Sequence, residues 1–130
     1  MNDPVIVDYR KVFEDNPKKS EDHGNTIDLS KESQFDQIIA KNPIVVVDYY
    51  ATWCGPCMML APAMAQLSMD YPTVKIVKID VDKFPTLAQR GKVRAMPTIV
   101  YYYKQKEVKR HEGGSKGSID ASIATLLAKK

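Results

Sequence analysis

Ile44-Val45-Val46-Val47-Asp48-Tyr49-Tyr50-Ala51 is an almost unbroken apolar run, and Trp53-Cys54-Gly55-Pro56-Cys57 follows it after a single residue. A run this short and this rich in β-branched residues reads as a strand buried on both faces of a sheet. From Pro56 to about Asp70 the pattern predicts a helix. The cysteine pair therefore stands where a strand turns into a helix, and that junction points to a βα architecture with thiol chemistry at its hinge.

Residues three apart on a helix share a face, with about 5 Å between Cα atoms, inside the span a disulfide tolerates. Cys54 falls at the helix N-terminus, where unpaired N–H groups and the helix dipole favour a thiolate. Pro56 suits the first turn, where its missing N–H costs no hydrogen bond. Cys57 lies one turn deeper. The pair is asymmetric, so Cys54 is the expected attacking thiol and Cys57 the resolving one, in exchange through a mixed disulfide.

Other uses of two cysteines fit less well. They are the only cysteines in the chain, too few for the framework of a small secreted domain. So short a loop also removes little entropy from the unfolded chain. A structural zinc site needs four ligands, and His23 and His111 are not at ligand spacing. An inert pair of core cysteines is the bland alternative.

With 130 residues, 44% hydrophobic and 27% charged, the chain has the makings of one globular domain. Its net charge of +3 is mild, and interspersed charges offer no stripe for nucleic acid. The longest apolar run, about eight residues, is far short of the roughly 20 needed to span a membrane. A monomer without nucleic-acid or membrane partners is expected. Residues 1–25 read as a mobile N-terminal extension, with Val5, Tyr9, Val12 and Phe13 at helical spacing and a polar linker over 16–25. Asp3, Asp8, Glu14 and Asp15 argue against a mitochondrial presequence, and there is no apolar h-region of a secretory signal.

From Thr26 the predicted elements alternate. A strand over 26–29 precedes a helix capped by Ser30 and running to about Lys41. Strand 44–51, helix 54–70 and strand 74–81 follow. A short helix over 84–91 has Gly91 as its left-handed stop. Strands 98–103 and 106–112 form a hairpin, and a last helix covers 115–130. This order predicts an α/β domain over 26–130, a central mixed β-sheet flanked by helices on both faces.

The WCGPC motif, Asp48 before it, Pro62 in the helix after it, Met96-Pro97-Thr98 and Gly113 stand in the order found in thioredoxins. Over residues 26–130 the chain resembles that family. The resemblance implies a thioredoxin fold and a protein-disulfide reductase, an oxidoreductase of electron transport and cell redox homeostasis. Two cysteines forming a working disulfide point to a reducing compartment and so to a cytoplasmic protein, with an organelle as the alternative had a leader been removed. The resemblance implies no bound cofactor: electrons would come from NADPH through a separate flavoprotein thioredoxin reductase, and peroxiredoxins would be among the clients. Pro56 favours the reductant over a disulfide oxidant or isomerase, whose relatives usually carry histidine there. A non-catalytic thioredoxin-fold binding subunit is a third reading.

The resemblance also assigns roles. Asp48 would be the base that helps deprotonate Cys57 through water, its pKa raised by burial; the alternative is a strand-edge aspartate with a path to solvent. Lys78 resembles the lysine near that aspartate: turned inward it would pair with Asp48, turned outward it would merely solvate a strand. A cis bond at Met96-Pro97 would bare the Met96 backbone for pairing with an extended substrate. Trp53, Gly55, Pro56, Met96, Pro97 and Gly113 would make the substrate surface, with Met58 and Met59 as adaptable apolar neighbours. Met58 departs from the lysine or arginine common at its position, which implies a shifted partner preference. The turn near 104–106 lacks Asn-Gly, leaving its type open, and His111 reads as a surface strand residue.

Overall fold

A computed structural model describes residues 24–129. The helical spacing over 5–13 and nearly all of the expected extension lie outside the described residues. In chain order the elements are β1 (Ile27–Asp28), α1 (Ser33–Lys41), β2 (Ile44–Tyr50), α2 (Gly55–Asp70), β3 (Lys75–Asp80), α3 (Pro85–Arg90), β4 (Thr98–Tyr103), β5 (Lys106–Glu112) and α4 (Lys116–Leu127). The five strands form one mixed sheet in the order β1-β3-β2-β4-β5. β1, β3 and β2 run parallel; β4 and β5 are antiparallel to their neighbours.

β2 lies at the centre of the sheet, and its alternate residues feed two cores. Ile44 and Val46 join Ile76 and Ile99 beneath Leu60, Met64 and Leu67 of α2 and Ile119 and Ile123 of α4. Val45, Val47 and Tyr49 turn the other way, with Val77, Ile79 and Val100, onto Phe35 and Ile39 of α1 and Leu87 of α3. Helices on both sides explain why β2 is apolar on both faces, Asp48 excepted, rather than alternating. Asp48 has the parity of Val46, so it faces the α2 side.

Two local expectations are corrected. Ser30 does not cap α1, which begins at Ser33 with Glu32 at the cap position and no side-chain cap there. Gln34 Oε1 instead reaches back to accept from the N–H groups of Ser30 (2.9 Å) and Lys31 (3.1 Å). Gly91 is not left-handed (φ −77°); Lys92 is (φ 57°). Glycine is needed at 91 because a Cβ there would lie 2.7 Å from the Tyr49 hydroxyl. Asn25, the last residue of the expected linker, donates its N–H to Ser68 Oγ on α2 at 2.7 Å.

The β4–β5 hairpin turns through Lys104 (φ 49°) and Gln105 (φ 73°), the positive pair of angles that marks a type I′ turn, here made without glycine. The register shifts between Tyr101, opposite Lys109, and Tyr102, opposite Glu107. Val108 is left as the extra residue of a β-bulge.

Candidate active site

Beyond β2 the chain closes a turn in which the Cys54 N–H donates to the Ala51 carbonyl (3.2 Å). Cys54 is extended (φ −90°, ψ 110°) and occupies the N-cap of α2, with Pro56 in the first turn. The Cys57 N–H, one of the donors a helix start leaves unpaired, points at Cys54 Sγ from 3.2 Å. No acidic residue stands in that first turn. The helix end therefore favours negative charge on Cys54. The two cysteines are disulfide-bonded with Cα atoms 5.3 Å apart.

Both sulfurs sit low, packed with Ala51 against Tyr50, Val81 and Met96. Cys54 is 6% exposed and Cys57 3%, whereas Trp53 (68%) and Met59 (83%) stand out on the surface around them. A Cβ on Gly55 would meet nothing within 4 Å, so the backbone there is open to a partner. Trp53 Nε1 donates to Asp82 Oδ2 at 2.8 Å, and the Asp82 N–H donates to Asp80 Oδ1 at 2.9 Å. Asp82 thus fixes the indole from a site 29 residues away, a role no local pattern signals.

The Met96-Pro97 bond is cis, and the Met96 carbonyl oxygen lies 3.7 Å from Cys54 Sγ. A disulfide sulfur has no proton to give, so this is a contact that places the segment beside the reacting atom. The Gly113 N–H donates to the Pro97 carbonyl at 2.7 Å. Cys54, Met96, Pro97 and Gly113 are thus linked in one continuous set of contacts.

Asp48 is 1% exposed, and neither carboxyl oxygen has a hydrogen-bond partner among the described residues. Burial pushes its pKa up to about 6, opposed by the charge of Lys78 and assisted by that of Asp28. Lys78 is the register partner of both, Asp28 on β1 and Asp48 on β2. It is half-buried and makes neither a direct ion pair with Asp48 nor a free excursion into solvent. Its ammonium lies 4.7 Å from the centre of the Tyr50 ring, and the Tyr50 hydroxyl donates to Asp28 Oδ1 at 3.4 Å. Lys78 therefore acts on Asp48 through its field while resting on an aromatic face.

Residues 26–125 match the family model described as Thioredoxin. The chain belongs to the thioredoxin family. It is 45% identical over 92 residues to Thioredoxin-1 of Saccharomyces cerevisiae, covering 71% of this chain and 89% of that one. The oxidised form of mitochondrial thioredoxin 3 from the same yeast superposes with a TM-score of 0.73 at 36% identity, covering 78% and 95% of the two chains. A chain from a structural study of thiol resolution in yeast mitochondrial 1-Cys peroxiredoxin via glutathione/thioredoxin systems matches at TM-score 0.73 and 35% identity, again over 78% and 95%. With the Cys54–Cys57 pair in place, this thioredoxin is a dithiol protein-disulfide reductase, a thiol–disulfide oxidoreductase. Thioredoxins carry no cofactor of their own. Among the described residues no cluster of His, Cys, Asp or Glu is placed to hold a metal ion, and no helix is long and apolar enough to cross a membrane.

Proposed function

We propose that Cys54 attacks and Cys57 resolves. The observation that carries this order is the Cys57 N–H aimed at Cys54 Sγ from the start of α2, which stabilises a thiolate on Cys54. The Cys54 thiolate attacks one sulfur of a client disulfide, forming a mixed disulfide and expelling the other client sulfur as thiolate. Cys57, deprotonated with Asp48 as base through water, then attacks Cys54 Sγ. The second client thiolate leaves, and the protein is left oxidised. The raised pKa of Asp48 lets it take a proton near neutral pH, and Lys78 tunes it.

Trp53, Gly55, Pro56, Met96, Pro97 and Gly113 form the client surface, with the Met96 backbone pairing with an extended client segment. Residues 26–130 are the working unit, and residues 1–25 precede it as an extension. Electrons reach it from NADPH through a flavoprotein thioredoxin reductase. Peroxiredoxins are among its clients, a reading supported by the peroxiredoxin study among its structural relatives. The cytoplasm is its proposed compartment, with a mitochondrial relative keeping an organelle as the rival.

The test is to trap the intermediate. Cys57→Ser, mixed with an oxidised peroxiredoxin, should accumulate a covalent adduct on Cys54 that is visible on non-reducing gels and cleared by dithiothreitol. Cys54→Ser should accumulate none. The reverse pattern would show that the order of attack is wrong.

A further inference from the structure

His111 looks like a surface residue of an outer strand, yet the structure gives both of its ring nitrogens a partner. It stands opposite Ile99, two residue pairs from the Tyr101–Lys109 pair and so on the same face, and its ring reaches Tyr101 along the diagonal of the ladder. Tyr101 is fully buried, and a buried tyrosine hydroxyl needs a partner. His111 Nε2 supplies one at 2.9 Å, and Ser122 on α4 is a second hydrogen-bonding neighbour of the same hydroxyl. On its other side, His111 Nδ1 lies 2.9 Å from the Gly113 carbonyl oxygen. A carbonyl only accepts, so Nδ1 carries a proton, and in the neutral ring Nε2 accepts from the Tyr101 hydroxyl.

Beyond His111, Glu112 is held by its pairing with Thr98 and by Arg94 (2.8 Å), and Ser115 by its capping box with Ser118, so the stretch between them rests on two glycines. Gly113 (φ 77°) and Gly114 (φ 144°) both adopt positive angles, and glycine has the greatest backbone freedom to lose. The turn folds over the imidazole so closely that a Cβ on Gly114 would lie 2.9 Å from His111 Cε1. Gly113 then donates its N–H to the Pro97 carbonyl, and Met96 adjoins Cys54. A continuous line runs from a core tyrosine, through His111 and Gly113, to the segment beside the reactive sulfur.

We propose that His111 is a positioning residue, a latch that ties the Gly113–Pro97 contact to the sheet core and so holds the Met96 backbone ready for a client. The effect on clients rests on the backbone-pairing reading given above; the latch itself does not. Small disulfides, which need no added strand, should be indifferent to it.

The experiment compares His111→Val, which removes both hydrogen bonds, with His111→Asn, whose side-chain amide stands where Nδ1 does and restores the bond to Gly113. His111→Val should raise KM for insulin disulfides by about tenfold, the scale of one or two lost hydrogen bonds. It should leave kcat and the rate with a small aromatic disulfide unchanged, and His111→Asn should recover most of the loss. Amide exchange at the Gly113 N–H, followed by NMR in the oxidised protein, should quicken in His111→Val by a similar factor. Unchanged exchange, or equal losses with both substrates, overturns the latch. Faster exchange with an unchanged KM for insulin upholds the latch and overturns the backbone-pairing reading instead.

Discussion

Val47 and Asp48 are neighbours on β2, but they face sides of the sheet that differ in kind. Toward α1 and α3 the strands present Val45, Val47, Tyr49, Val77, Ile79 and Val100, closed over by apolar side chains. Toward α2 and α4 they begin in the same manner with Ile44, Val46 and Ile76, then turn polar at Asp48 and Lys78 as the strands approach the cysteines. The first side is burial from end to end. The second gives up burial energy where the thiols lie, and its clearest sign is a buried carboxyl group with no hydrogen-bond partner among the described residues. Stability and chemistry are thus separated by the two-residue period of a single strand.

The largest test of that contrast is Asp48→Ala. The fold raises the Asp48 pKa from 3.8 to about 6, so it disfavours the ionised form. The stability that Asp48 retains when protonated is fully present below about pH 4 and is lost as pH rises through about 6. A shift of this size corresponds to about 3 kcal/mol. Relative to the parent, Asp48→Ala should therefore be more stable at pH 8 than at pH 4 by about that amount, while resolution of the mixed disulfide slows roughly 100-fold near pH 7. Urea titrations of the oxidised proteins that run parallel across this range would refute the buried-charge account.

Val47→Ala probes the opposite side. It should lose about 2 kcal/mol of stability at every pH, the scale for methyl groups deleted from a closed core, and leave the pH profile of resolution where it was. A displaced profile would mean that the two sides are not independent. The smallest expected effect is that of Lys78→Met, which removes the charge holding the Asp48 pKa down. The midpoint of the pH profile should move upward, by less than burial alone has moved it; a downward move would contradict the field described here.

What could be read from the chain was what short-range pattern controls. The apolar run of β2, the strand–helix junction at Cys54, the hairpin and the order of elements follow from periodicity, propensity and spacing. The burial of Asp48 rested on the family resemblance, since the run alone left a strand-edge aspartate open; pairing of β2 on both edges closes that path. What was missed depends on partners distant in sequence. Gly91 answers to the Tyr49 hydroxyl, not to the end of its own helix. Asp82 meets Trp53, and His111 meets Tyr101 only once β4 and β5 are paired. At Ser30 the composition did mark a helix start, but a longer amide four residues on took over the hydrogen bonds. The question over Lys78 had been posed as inward or outward, and an aromatic face on the adjacent strand offered a third place to rest.

The bulge at Val108 has a consequence for aggregation. β5 is an outer strand of the sheet, with one edge available to extended polypeptides. A regular, uncharged edge would recruit them, or copies of its own chain, into a growing sheet. Val108 breaks the repeat of that edge, and the strand carries charge at Lys106 and in the Arg110–Glu107 ion pair. The outer strand is thereby a poor template for the addition of another strand.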